Sequence, residues 1–111
     1  NIEVLYPLKK NTKNYKLWNK YYSGSSGLMG IKITAKNKKS VDKFVNSLKL
    51  FGHGYSWGGY ESLALHQEIK EQGKRKFLKL KKNEHIVRLH IGLEDSNDLI
   101  QDLRKSLKFI K

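Results

Sequence analysis

The chain has 111 residues, with 23 Lys plus Arg against 10 Asp plus Glu and a formal net charge of +13. That length holds one domain, and 38% hydrophobic with 11% aromatic residues is enough for a real core, which excludes a disordered tail. No run approaches the roughly 18 apolar residues of a membrane span, the first residues lack a signal-peptide pattern, and without Cys there are no disulfides or thiolate metal sites. The expectation is a soluble, cytoplasmic protein with no membrane partner.

Residues 2–6 alternate and end at Pro7, the one proline, which suits a short strand that stops there. Tyr15, Leu17, Trp18, Tyr21 and Tyr22 fit one helical face, with Gly24 as terminator. Leu28 to Thr34 reads as a strand, with Lys32 pointing away from Ile31 and Ile33. A helix follows in which Ser40 can cap the start, Asp42 favours the N-terminal end of the dipole, and Val41, Phe44, Val45 and Leu48 form one stripe.

Residues 51–59 hold four glycines in nine positions, which predicts a loop whose backbone passes close to something. Residues 61–66 alternate loosely as a further strand. The clearest strand is 85–91, with Ile86, Arg88 and His90 on one face and Val87, Leu89 and Ile91 on the other. Ser96 then caps a last helix carrying Leu99, Ile100, Leu103, Leu107 and Ile110. Strands and helices interleave without βαβ regularity, so the class is α+β with a mostly antiparallel sheet.

So basic a chain invites a nucleic-acid reading. Its make-up weakens that reading: 20 of the 23 basic residues are Lys and only Arg75, Arg88 and Arg104 are Arg, the residue whose fixed fork reads base edges. Eight Asn accompany them, and Lys and Asn share A-rich codons, so a base-composition bias accounts for both. Residues 70–82 carry seven basic groups and one acid, Glu71, as a solvated face or loop would. A Lys-rich nucleic-acid-binding module is the alternative kept open.

Of the four histidines only His85 and His90 are near neighbours, and their spacing on a strand sends them to opposite faces, so no metal site is expected. The 51–59 loop lacks the spacing of a phosphate-binding motif, but it sets Tyr55, Ser56 and Trp57 among glycines, where large side chains are presented rather than buried. Arg88 lies inside an apolar strand and needs an anion, since burying it unpaired costs several kcal/mol. Glu94 or Asp95 could supply one internally, or a ligand carboxylate or phosphate could.

These residues also carry a resemblance. YSWGGYESL at 55–63 and VRLHIGLEDSNDLIQDL at 87–103, preceded by VLYP at 4–7 and GSSGLM at 24–29, resemble the C-terminal part of the Cys/Met-metabolism family of pyridoxal-phosphate-dependent enzymes. Trp57, where the family usually has Leu, resembles the bacterial cystathionine β-lyase branch. The resemblance implies that residues 1–111 are the small C-terminal, substrate-binding domain of a fold-type-I enzyme whose cofactor-bearing large domain is absent.

It further implies a carbon–sulfur lyase that converts cystathionine to homocysteine, pyruvate and ammonia in methionine biosynthesis and transsulfuration. Arg88 matches the arginine that grips the substrate α-carboxylate, Ser56 the turn residue that assists it, and Tyr55 and Trp57 the entrance. No lysine here has the neighbours of the family's Schiff-base lysine, so no residue is expected to be catalytic or to bind the cofactor. The implied partners are a cystathionine-like amino-acid thioether and, for the full-length enzyme, three further subunits in a homotetramer, with no nucleic acid. By itself the piece is expected to be inactive and free of pyridoxal phosphate; an inactive remnant of a split gene would have the same sequence.

Overall fold

A computed structural model of the chain describes residues 1–69 and 78–110. The first eight positions of the basic 70–82 run lie outside the described residues. In chain order the elements are β1 (Ile2–Leu5), α1 (Tyr15–Tyr21), β2 (Leu28–Thr34), α2 (Lys38–Asn46), β3 (Gly52–His53), β4 (Leu63–Gln67), β5 (Glu84–His90) and α3 (Ser96–Ser106), closed by a 3-10 turn at Leu107–Phe109. The strands form one sheet in the order β1-β2-β5-β4-β3. Only the β3·β4 pair is parallel, so the architecture is α+β with a mostly antiparallel sheet, as the sequence predicts.

Register fixes which side chains share a face. Ile31 lies opposite Val87, and Met29 and Ala64 lie opposite Leu89 from either side, so these residues share a face with Val4 and Ile33. That face meets Val41, Phe44 and Val45 of α2 and Leu99 of α3 in the apolar core, where Val41, Ile33 and Val87 are fully enclosed. The other face carries Lys32, Gly30, Leu65, Ile86, Arg88 and His90. The strand of alternating character at 84–90 thereby divides the molecule: its odd positions from Val87 hold it together, while Arg88 and His90 meet the Gly-rich loop from the other face.

Several local expectations are corrected. Asn37, not Ser40, caps α2: its side chain accepts the Ser40 N–H at 3.0 Å. A carboxamide four positions before Val41, the first apolar residue of the stripe, lets the helix begin earlier than the stripe itself. Asp42 is therefore beyond the first turn, and its Oδ1 lies 2.7 Å from His66 Nδ1 on β4. Asp95, not Ser96, caps α3, accepting the N–H groups of Asn97 and Asp98. The glycine-rich segment contributes the short strand β3, because Gly52 and His53 can lie beside Leu63 and Ala64. Helix α1 ends at Tyr21 with Tyr22 as its cap, before Gly24.

Its aromatic stripe does not enter the core: Leu17, Tyr21 and Tyr22 are exposed and no residue of α1 is buried, while Trp18 stacks on Tyr22 with centroids 4.2 Å apart. Ile100 likewise faces outward from α3. Of its two buried polar residues, Asp102 and Ser106, Asp102 accepts the backbone N–H groups of Lys49 and Leu50 and so ties α3 to the chain leaving α2. No helix among the described residues is long and apolar enough to cross a membrane.

Candidate functional site

The second face of the sheet is where Arg88 emerges, and the glycine-rich loop folds back over it. Arg88 Nη2 donates to three consecutive carbonyls, Gly54 at 3.0 Å, Tyr55 at 2.8 Å and Ser56 at 3.2 Å. The internal ion pair that Glu94 or Asp95 could have supplied is not made. Glu94 is engaged by Ser62, whose N–H and hydroxyl donate to its two oxygens at 2.7 Å each, and Asp95 caps α3. Carbonyl dipoles satisfy hydrogen-bonding capacity but leave the guanidinium charge uncompensated, and Arg88 forms no ion pair with a described residue.

The loop is anchored beyond Arg88 as well. His90, 5% exposed, lies two positions along the same face of β5 and touches the turn after Trp57: its Nε2 is 3.1 Å from the Gly58 N and 3.0 Å from the Gly59 carbonyl. Gly58 has φ +84°, a backbone conformation that a side chain would strain. Then comes a tight joint. Ser62, 1% exposed, accepts the Gly92 N–H at 2.8 Å while Leu93 N–H donates to the Tyr60 carbonyl at 2.8 Å. A Cβ on Gly92 would overlap the Tyr60 carbonyl and the Glu61 backbone, so the ESL and GLED segments fit together only through a glycine.

These contacts set the local electrostatics. Glu94 is held below the ordinary carboxylate value of 4.5, first by the Ser62 N–H and next by the Ser62 hydroxyl. Tyr60 is pushed above 10.0 by the neighbouring Glu61, chiefly through their hydrogen bond, so the phenol keeps its proton. Between the two anchors the loop presents its large side chains outward: Tyr55 is 79% exposed, Trp57 62% and Tyr60 70%. The structure thus brings Arg88 to the backbone of Tyr55 and Ser56, while Ser56, Tyr55 and Trp57 display their side chains away from the core.

Sequence reasoning assigned no role to His90 or Ser62, and considered Glu94 only as an ion-pair partner for Arg88. All three lie inside the two motifs that carried the resemblance, and a buried Ser followed by a distant acid has no local signature. On the core face, at the far end of the sheet, the described residues form a second polar cluster: the His66 and His85 rings meet edge to face at 5.3 Å, and His85 Nε2 is buried without a described partner. Burial, then His66, pushes the His85 ring below 6.5. No group of three or more acidic, His or Cys residues that could hold a metal ion occurs among the described residues.

A pyridoxal-phosphate site is testable against the lysines. A Schiff-base lysine must give up its proton, which desolvation or a neighbouring cation favours. Lys32, on the same face of the sheet as Arg88, pairs with Glu3 at 2.6 Å, and Lys38 pairs with Glu68; both ammonium groups are pushed above 10.5, first by those hydrogen bonds. The lysines whose character is resolved therefore do not fit the cofactor.

Residues 2–108 match the Cys/Met metabolism PLP-dependent enzyme family. The chain is 37% identical over 107 residues to the cystathionine beta-lyase of Escherichia coli and 35% over 106 residues to a putative cystathionine beta-lyase of Rhizobium johnstonii, covering 90% and 92% of this chain. An L-alanine/L-glutamate racemase of Wolbachia pipientis is 33% identical over 106 residues and 95% of this chain. In each case the chain spans only 26% of the relative's length. Among solved structures, cystathionine gamma synthase of Xanthomonas oryzae, in complex with aminoacrylate and cysteine, superposes with a TM-score of 0.80 at 25% identity, over 97% of this chain and 28% of that one.

Proposed function

Because the chain belongs to the Cys/Met metabolism family of PLP-dependent enzymes, we propose that residues 1–111 are the C-terminal substrate-binding domain of a carbon–sulfur lyase acting on cystathionine or a similar thioether. Arg88 takes the substrate α-carboxylate. The observation that carries this reading is the state of its guanidinium: a cation on an apolar strand with no ion pair among the described residues, held against the carbonyls of Gly54, Tyr55 and Ser56.

The chain's own residues would do the following. Arg88 fixes one end of the amino acid, and Ser56 assists at the same carboxylate. Tyr55 and Trp57 border the entrance and limit the side chain that enters. Holding the carboxylate fixes the rotation about the Cα bonds, which sets the direction of the Cα–H bond before any chemistry begins. Pyridoxal phosphate supplies the electron sink in enzymes of this kind. Its residues are proposed to lie outside these 111, since Lys32 and Lys38 are held protonated and the relatives are about four times longer. The full-length enzyme is proposed to be a cytoplasmic homotetramer.

The 111-residue chain should bind L-cystathionine weakly, with a Kd on the order of millimolar, and should neither take up pyridoxal phosphate nor release pyruvate. Saturable shifts of the Arg88 side-chain and Ser56 amide resonances, lost in Arg88→Gln, are expected. Pyruvate above buffer, or a visible absorbance band on adding pyridoxal phosphate, would contradict the division of labour. The racemase relative favours a second outcome in the full-length enzyme, inversion at Cα without loss of sulfur, which is read by D-alanine formed from L-alanine.

A further inference from the structure

The loop that carries Trp57 is held at two places of different kinds. At the near end Arg88 bonds to the carbonyls of 54–56, all through Nη2. A guanidinium grips a carboxylate bidentately either with both terminal nitrogens or with Nε and the terminal nitrogen beside it. Nη2 belongs to both arrangements, so a carboxylate gripped in this way takes N–H from the loop. Substrate binding of the proposed kind thus loosens the near anchor. The far anchor contains no Arg88: it consists of His90 against Gly58 and Gly59, followed by the Ser62–Glu94 joint.

We propose that His90 is the positioning residue that keeps Trp57 and the aromatic loop over the site when the substrate carboxylate takes Arg88 from the loop carbonyls. It rests on the reading of Arg88 given above. The imidazole suits the task because it offers a buried contact to both peptide groups of the turn. The Gly58 N also lies 3.4 Å from Nδ1, so with its proton on Nε2 the neutral ring donates to the Gly59 carbonyl and accepts the Gly58 N–H at Nδ1, and with the proton on Nδ1 it accepts that N–H at Nε2. A doubly protonated ring has no acceptor left and keeps only the bond to the Gly59 carbonyl.

The charged groups on the ring's side are Glu94 across the turn after β5 and Arg88 on the same face of β5; the flanking positions on β2 and β4 are the uncharged Leu28 and Leu63.

Two measurements on the 111-residue chain test this. In the wild type, the Gly58 and Gly59 amide resonances should move with the His90 ring signals through its titration. Amides that stay still while the ring titrates overturn the proposal, whatever cystathionine does. In the second, L-cystathionine is titrated while the Trp57 indole signal is followed. His90→Ala should weaken binding about tenfold and uncouple the indole from ligand, while His90→Asn, which keeps a donor and an acceptor, should restore part of both. An indole that follows ligand in His90→Ala as it does in the wild type would overturn it. If the wild type shows no cystathionine shifts but its glycine amides follow the ring, the Arg88 reading fails and the His90 anchor of the loop stands.

Discussion

The two faces of the sheet are built from alternate residues of the same strands and are held by different forces. On the core face, Ile31, Ile33, Val87 and Leu89 pack against Phe44, Val41 and Leu99, and each contact is nondirectional apolar burial. On the other face, Arg88, His90 and Ser62 hold a loop through directed hydrogen bonds, most of them to backbone groups. Apolar packing tolerates small shifts and stabilises strongly; hydrogen bonds to peptide groups fix positions while adding about 1 kcal/mol each. One face therefore supplies the stability and the other the geometry.

Substitutions can separate these roles. The largest loss of stability should come from Phe44→Ala, 1% exposed in the core, at roughly 3–5 kcal/mol by urea unfolding. The joint between the loop and β5 comes next: Gly92→Ala sets a methyl against backbone rather than side chains, so about 1–3 kcal/mol is expected, with the Tyr60–Ser62 amides displaced.

Acid should distinguish the faces by where stability falls. His85, depressed below 6.5, contributes stability that is complete above 6.5 and lost as pH drops from there through its folded value, because the unfolded ring takes the proton first. Glu94, depressed below 4.5, contributes stability present above 4.5 and lost as pH falls through its folded value. Unfolding followed against pH should show the first decline vanish in His85→Phe and the second in Glu94→Gln. The smallest effect on stability is expected for Trp57→Ala, within about 0.5 kcal/mol since the indole is 62% exposed, together with a clear loss of cystathionine binding. A Trp57 variant that unfolds easily but binds normally would reverse the assignment of the two faces.

Much of the core face was legible because period reveals it: Val41, Phe44, Val45 and Leu48 fall at helical spacing, and Val87 and Leu89 alternate with Arg88. The caps were misread by three positions at Asn37 and by one at Asp95, since Asn, Ser and Asp all cap helices and only geometry shows which side chain reaches the free N–H groups. Helix α1 looked amphipathic, yet Leu17, Tyr21 and Tyr22 stay exposed; the periodicity gives a stripe without saying what covers it. On the second face Arg88 stood out as a charge among apolar neighbours. The contacts of His90 and of Ser62 with Glu94 span about thirty residues and depend on the loop's path, which no local pattern records.

The central claim is that Arg88 is poised for a carboxylate. Titration of the 111-residue chain with L-cystathionine, followed through the Arg88 guanidinium resonances, tests it directly. The account predicts saturable shifts at Arg88 together with the amides of 54–57, as the loop carbonyls are exchanged for the ligand, and their disappearance in Arg88→Gln. Shifts that persist in Arg88→Gln, or an unperturbed guanidinium in the wild type, would contradict it.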